Sequence, residues 1–115
     1  IIPIPLSSTR KRERGYNQSE LLAIDIGNNY NIPLEHKNLR RIRDTKHQIH
    51  LSQKERWTNI KGAFRIKTPA KAKGKSFLLI DDLLTTGATT SEAAQTLKNA
   101  GARTVGALTL AIAIN

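Results

Sequence analysis

The chain has 115 residues, with 19 Lys and Arg against nine Asp and Glu, a formal net charge of +10, 38% hydrophobic residues and no cysteine. That length accommodates one small domain with one core, and the absence of cysteine excludes disulfides and thiolate metal sites. No apolar run approaches the roughly 20 residues of a membrane span and no secretory signal is visible, so a soluble cytoplasmic protein is the expectation. The first residue is Ile rather than Met, which points to a fragment or a processed chain. Aromatic residues number only five, Tyr16, Tyr30, Trp57, Phe64 and Phe77, so the core must rely on Ile, Leu, Val and Ala. The charge is lopsided: 17 of the 19 bases and six of the nine acids fall in residues 1–75. A basic half of this kind suits polyphosphate, nucleic acid or an acidic partner protein, and charge alone does not separate them.

Ile1 to Leu6 (IIPIPL) is an apolar strand with two prolines. Proline cannot donate a ladder hydrogen bond, so this strand is expected at an edge or to end early. Ser7 to Arg14 is a polar loop with four bases in five positions from Arg10. Asn17 and Glu20 mark a helix start. Leu21, Leu22, Ile24 and Ile26 supply the apolar face of a helix over about Ser19 to Asn29, ended by Gly27-Asn28-Asn29. Asn31-Ile32-Pro33 is a turn, and a weakly marked strand follows near Leu39 to Arg43.

Asp44 to Thr58 has little apolar content and no strong period, and predicts a long mobile excursion with a helical turn near Gln53 to Trp57. Loops of this length in compact domains are usually functional or disordered. Ile60 to Lys67 predicts an exposed strand, and Thr68 to Lys75 a polar connection. Phe77 to Thr90 (FLLIDDLLTTGATT) opens as an apolar run suited to a strand buried on both faces. A helix is predicted over about Thr90 to Asn99, with Gly101 as its stop signal. Thr89 and Glu92 stand at capping-box spacing. Val105 to Ile114 is a second near-continuous apolar run, again suited to a buried parallel strand. The order predicts an α/β fold: a parallel-rich twisted sheet flanked by helices, with a βαβ unit at its carboxyl-terminal end.

The chemistry concentrates in Phe77 to Thr90. Asp81 and Asp82 fall at the carboxyl end of the strand, the edge where open α/β sheets bind ligands. Thr85 to Thr89 then offer backbone N–H groups, hydroxyls and a helix N-terminus, which together form an anion cradle. Acids for a polyol or a metal beside a pocket for phosphate suit a sugar phosphate.

This stretch resembles the phosphoribosyl-pyrophosphate (PRPP) motif of type I phosphoribosyltransferases: apolar run, two acids, two residues, then T-T-G-x-T. The resemblance implies a Rossmann-like core in which Asp81 and Asp82 approach the ribose hydroxyls, directly or through Mg2+ and its waters. It further implies that Thr85, Thr86, Gly87, Ala88 and Thr89 wrap the 5′-phosphate. In type I enzymes the loop after the first strand holds pyrophosphate, which by position makes Arg10, Lys11, Arg12 and Arg14 candidates. The hood-like flexible loop of those enzymes corresponds to Asp44–Thr58, whose Lys46, His47 and Arg56 could reach pyrophosphate oxygens.

The resemblance narrows to the competence protein F (ComF) family. Its R-G-x-N-Q motif stands here as Arg14-Gly15-Tyr16-Asn17-Gln18. Its second stretch stands as Gln48, Leu51, Arg56 and Asn59 with Gly62-Ala63-Phe64, and the PRPP motif follows. This implies a PRPP-binding domain associated with bacterial competence and DNA uptake, with single-stranded DNA or a DNA-uptake protein as partner. The alternative it leaves is a non-catalytic domain that senses PRPP or a nucleotide. Members carry a Cys-rich zinc-binding module at the N-terminus. A chain without Cys is expected to lack it, and to lack a base-recognising hood. Purine-salvage enzymes place an acid where Thr85 stands, so purine salvage is disfavoured and the acceptor is left open.

Overall fold

The structure is a computed structural model that describes residues 1–6, 15–43, 52–84 and 87–112. Its elements run β1 (Ile2–Pro3), α1 (Gln18–Tyr30), β2 (Leu39–Arg41), α2 (Gln53–Ile60) and β3 (Phe64–Ile66), then a 3-10 turn (Pro69–Lys71), β4 (Ser76–Leu84), α3 (Ala88–Asn99) and β5 (Thr104–Ile112). β1, β4 and β5 form a parallel sheet in the order β1-β4-β5, and β2 and β3 pair as a separate antiparallel ribbon. The expected parallel sheet with flanking helices is present, and β4–α3–β5 is its βαβ unit.

β4 is the central strand, and its alternation explains why the sheet is covered on both sides. Leu79 packs in a cluster with Ile2, Ile4, Phe64, Ala93 and Leu97, joining the ribbon, α2 and α3 to one face. Ile80 belongs to a second cluster with Ile1 and Ala23, against which Leu22, Ile26 and Leu78 pack, so α1 covers the other face. Leu79 and Ile80 are both buried. The prolines confine β1 as expected: it pairs only Ile2 with Leu79 and Pro3 with Ile80, and one further bond runs from Ile4 N–H to the Ile80 carbonyl.

Asn17 caps α1, its side chain accepting from the Ser19 N–H at 3.1 Å. The helix runs through the glycine–asparagine cluster expected to end it and stops at Asn31, which is left-handed at φ 55°. Gly27 is required by close approach rather than as a terminator, since a Cβ there would lie 3.0 Å from the Ile32 carbonyl oxygen.

The helical turn predicted at Gln53–Trp57 is the longer helix α2, capped by the Ser52 side chain accepting from Glu55 N–H. It packs on α3, and its Ile60 is 1% exposed. The excursion predicted for Asp44–Thr58 therefore ends by Ser52, and its residues 44–51 lie outside the described residues. The exposed strand predicted at Ile60–Lys67 is half right. In β3 only Arg65 faces out, while Phe64 and Ile66 are buried.

β5 corrects the prediction of a buried strand. It is parallel to β4 over its length, but Leu108, Leu110 and Ile112 are 46%, 71% and 64% exposed. It is an edge strand, and α3 shelters only its beginning, where Val105 packs on the core. An apolar run reports what a strand can bury, not whether another element arrives to cover it. No helix among the described residues is long and apolar enough to cross a membrane.

Candidate sugar-phosphate site

Asp81 and Asp82 follow the two most buried residues of β4. The strand does not end at them, as the sequence predicted, but continues through Leu84 because β5 goes on pairing, Leu83 with Ala111 and Leu84 with Ile112. On the opposite side pairing with β1 stops at Ile80. The two acids thus stand where one neighbour has left the central strand and the other remains. This opens the sheet at its carboxyl edge, the position at which open α/β sheets bind ligands.

Both acids are half-buried. Burial first, and then the hydrogen bond and charge of Asp82 beside it, push the Asp81 carboxyl up to about 7. The Asp82 N–H and the Ser19 hydroxyl oppose that rise. Ser19 Oγ donates to Asp81 Oδ1 at 3.4 Å. Ser19 is itself fixed by the cap, and Asn17 Nδ2 donates to the Ile4 carbonyl at 3.1 Å. A chain of polar contacts therefore ties the end of β1, the start of α1 and Asp81 together. The sequence marks Asn17 as a helix start but gives no sign that Ser19 reaches the acid, 62 residues away in the chain.

The helix after the acids starts earlier than predicted, at Ala88, with Gly87 as N-cap at φ 84° and no side-chain cap. The N-cap is Gly87 rather than Thr89, which lies inside the first turn, so Thr89 and Glu92 do not stand at the cap and third helical positions of a capping box; Glu92 Oε1 accepts from the Gly62 N–H at 3.2 Å. Ala88 is buried, and Gly87 and Thr89 are half-buried. Thr90 adds a group the sequence did not single out. Its Oγ1 is buried and has no hydrogen-bond partner among the described residues.

Of the other candidates, Arg56 lies on α2 and is 5% exposed, so it is a buried helix residue rather than a cation on an open loop. Thr85, Thr86, Arg10, Lys11, Arg12, Arg14, Lys46 and His47 lie outside the described residues. Among the described residues no group of three or more His, Cys, Asp or Glu could hold a metal by itself. Two adjacent carboxyls, the Asp81 proton held more tightly by burial and by the neighbouring Asp82, fit a hard divalent cation that takes most of its oxygens from substrate and water.

The chain matches the family model described as "Phosphoribosyl transferase domain" over residues 3–113. It is 39% identical to the DNA utilization protein YhgH of Salmonella typhi over 105 residues, 91% of this chain and 45% of that protein. It is 35% identical to competence protein F of Haemophilus influenzae over 102 residues, 88% of this chain and 44% of that one. With competence protein ComFC of Bacillus subtilis the identity is 38% over 111 residues, 96% of this chain and 43% of the relative. The chain therefore spans less than half the length of the curated relatives it matches. No solved structure matches it. With the PRPP-type stretch on the central strand of a parallel sheet and these relatives along its length, the chain belongs to the phosphoribosyl transferase domain family, as a ComF-family domain.

Proposed function

We propose that this domain binds PRPP with Mg2+ and transfers its phosphoribosyl group, within a protein that serves competence or DNA utilization as its relatives' names describe. The observation that carries the reading is the order of parts along one strand. A half-buried acid pair stands at the open side of β4, and a helix follows whose start has glycine for a cap and no capping side chain. In this reading Asp81 and Asp82 hold the ribose hydroxyls, and the Gly87–Thr89 turn, with Thr85 and Thr86, holds the 5′-phosphate. Thr90 Oγ1 supplies a further donor beneath them.

In the transfer the C1–O bond to pyrophosphate breaks, a nucleophile bonds to C1, and positive charge builds on the ring between the two events. The domain's contribution is positioning and electrostatics. A bound Mg2+ would neutralise pyrophosphate charge, and Asp81 and Asp82 are the side chains that would hold it near the ribose. Arg10, Lys11, Arg12, Arg14 and Lys46 are the proposed pyrophosphate contacts. Asp81 must release its proton to meet a cation. Affinity for Mg·PRPP is therefore expected to rise between about pH 6 and 8, across the value near 7.

A second reading, PRPP sensing without transfer, is favoured by the burial of Arg56 in α2, which removes one of the cations expected above the pyrophosphate. Titration calorimetry with Mg·PRPP separates the outcomes. The wild-type chain should bind, and Asp81→Asn and Asp82→Asn should each weaken binding about tenfold or more, the scale of one lost charge-assisted contact. No heat from a folded wild type would remove both readings. Binding without pyrophosphate release in the presence of candidate acceptors would favour the sensor.

A further inference from the structure

The two edges of the parallel sheet are unlike. At one, β1 pairs only Ile2 and Pro3 with β4, and Pro3 and Pro5 have no N–H to offer a further strand. At the other, β5 runs nine residues beside β4 in one unbroken register, from Ser76 with Thr104 to Leu84 with Ile112. An edge strand turns a row of N–H and C=O groups away from its sheet. Among the described residues, that row of β5 bonds to no other backbone segment.

Proteins ordinarily guard such an edge with a lysine, a proline, a bulge, a short strand or a covering element. Among the described residues β5 has none of these. Residues 104–115 hold no charged residue and no proline, the constant register leaves no place for a bulge, and α3 shelters only the start of the strand. Partners in a ladder share a face, so Leu108, Leu110 and Ile112 stand on the Ile80 face of the sheet. On that face α1 lies over β1 and β4 and leaves the three aliphatic side chains exposed.

Charge and symmetry select the occupant. The chain carries a net charge of +10, and its uncharged edge is a strip along which two copies meet without bringing like charges together. A contact of β5 with β1 of the next copy would repeat without end, but Pro3 and Pro5 block it. Contact of β5 with β5 uses each edge once and closes at two. A two-fold axis perpendicular to the sheet makes that pairing antiparallel, joins two three-stranded sheets into one, and sets the two aliphatic rows on the same face as cross-strand neighbours.

We propose that β5 is the interface of a homodimer, pairing antiparallel with β5 of a second copy through residues 104–112, with Leu108, Leu110 and Ile112 lining the seam. A strip about 30 Å long and one strand wide covers less than the roughly 800 Å2 per partner of a standard interface, so the dimer is expected to dissociate in the micromolar range. The inference rests neither on PRPP binding nor on DNA.

The test is sedimentation velocity of the chain from about 1 to 200 μM, the span in which so small an interface dissociates. Three variants each place one lysine at an exposed aliphatic position: Leu110→Lys and Ile112→Lys on the strand, and Leu21→Lys on α1 as a control of equal charge. Thermal melts verify that each folds. The wild type should pass from monomer to dimer and stop there. Each strand variant should weaken the dimer by about tenfold or more, and Leu21→Lys by less than about threefold. Raising salt from about 0.05 to 0.5 M should strengthen the wild-type dimer, because two like-charged copies then repel less. Hydrogen exchange should show β5 amides gaining protection with concentration in the wild type and not in Leu110→Lys.

A wild type that stays monomeric at the highest concentration would overturn the proposal and leave β5 to a different chain. So would growth beyond the dimer, strand variants that dimerise like the wild type, or equal weakening by Leu21→Lys. A dimer whose β5 amides gain no protection would mean contact without strand pairing, and would overturn it as well. Failure to bind Mg·PRPP would leave every arm of this measurement unaffected.

Discussion

Asp81 carries the energetic tension of the site. An unfolded carboxyl ionises near 3.8, and the folded Asp81 near 7. Between those values the folded state keeps a proton that the unfolded state has lost, so stability falls as pH rises through that window and is level above it. Asp81→Asn removes the ionisation. It should therefore stabilise the chain at pH 8 relative to wild type by about 1–2 kcal/mol and change little at pH 4. Chemical denaturation at the two pH values reads this directly. An Asn variant equally destabilised at both would mean that the acid is a structural partner and not a held-back charge. The adjacency of the two acids was legible in the sequence. The serine hydroxyl beside Asp81 was not, because it depends on how α1 leaves its cap, a tertiary outcome that no local spacing encodes.

At the scale of elements, the start of α3 is the part most open to a direct test. Gly87 at φ 84° accepts a side chain only with strain, and in the proposed site a Cβ there would also crowd the phosphate. Gly62, at φ 69°, carries the same strain at a place remote from the acids in sequence, and a Cβ added to it would meet nothing within 4 Å. Gly87→Ala and Gly62→Ala should each cost about 1 kcal/mol in denaturant melts. Only Gly87→Ala should weaken Mg·PRPP binding in calorimetry; equal affinities would detach the turn from phosphate binding. Element types were largely readable: a helix after Asn17, a central apolar strand before the acids, a helix after them. Their ends were not. The β4 terminus is set by pairing with β5, and the helix after the acids starts at Ala88 with Gly87 as its cap, which places Thr89 inside the first turn instead of at the cap. β5 had the composition of a buried strand and the position of an edge, and only the sheet order distinguishes them.

At the scale of the molecule, the acid pair on β4 and the end of β1 meet at Asn17, which holds the Ile4 carbonyl with its amide and caps the helix that brings Ser19 to Asp81. Charge asymmetry along the chain announced a basic half, but the pairing of Arg40 with Arg65 and the folding of residues 34–38 against Lys67–Lys71 gave that charge a shape. The proposed function depends most on where the sugar phosphate sits, and one measurement addresses that directly: a crystal structure of the chain with Mg·PRPP. The 5′-phosphate should lie on the backbone of Gly87–Thr89 and the ribose hydroxyls at Asp81 and Asp82. PRPP bound with its phosphate at Lys37, Lys67 and Lys71, or anywhere clear of the two acids, would contradict it.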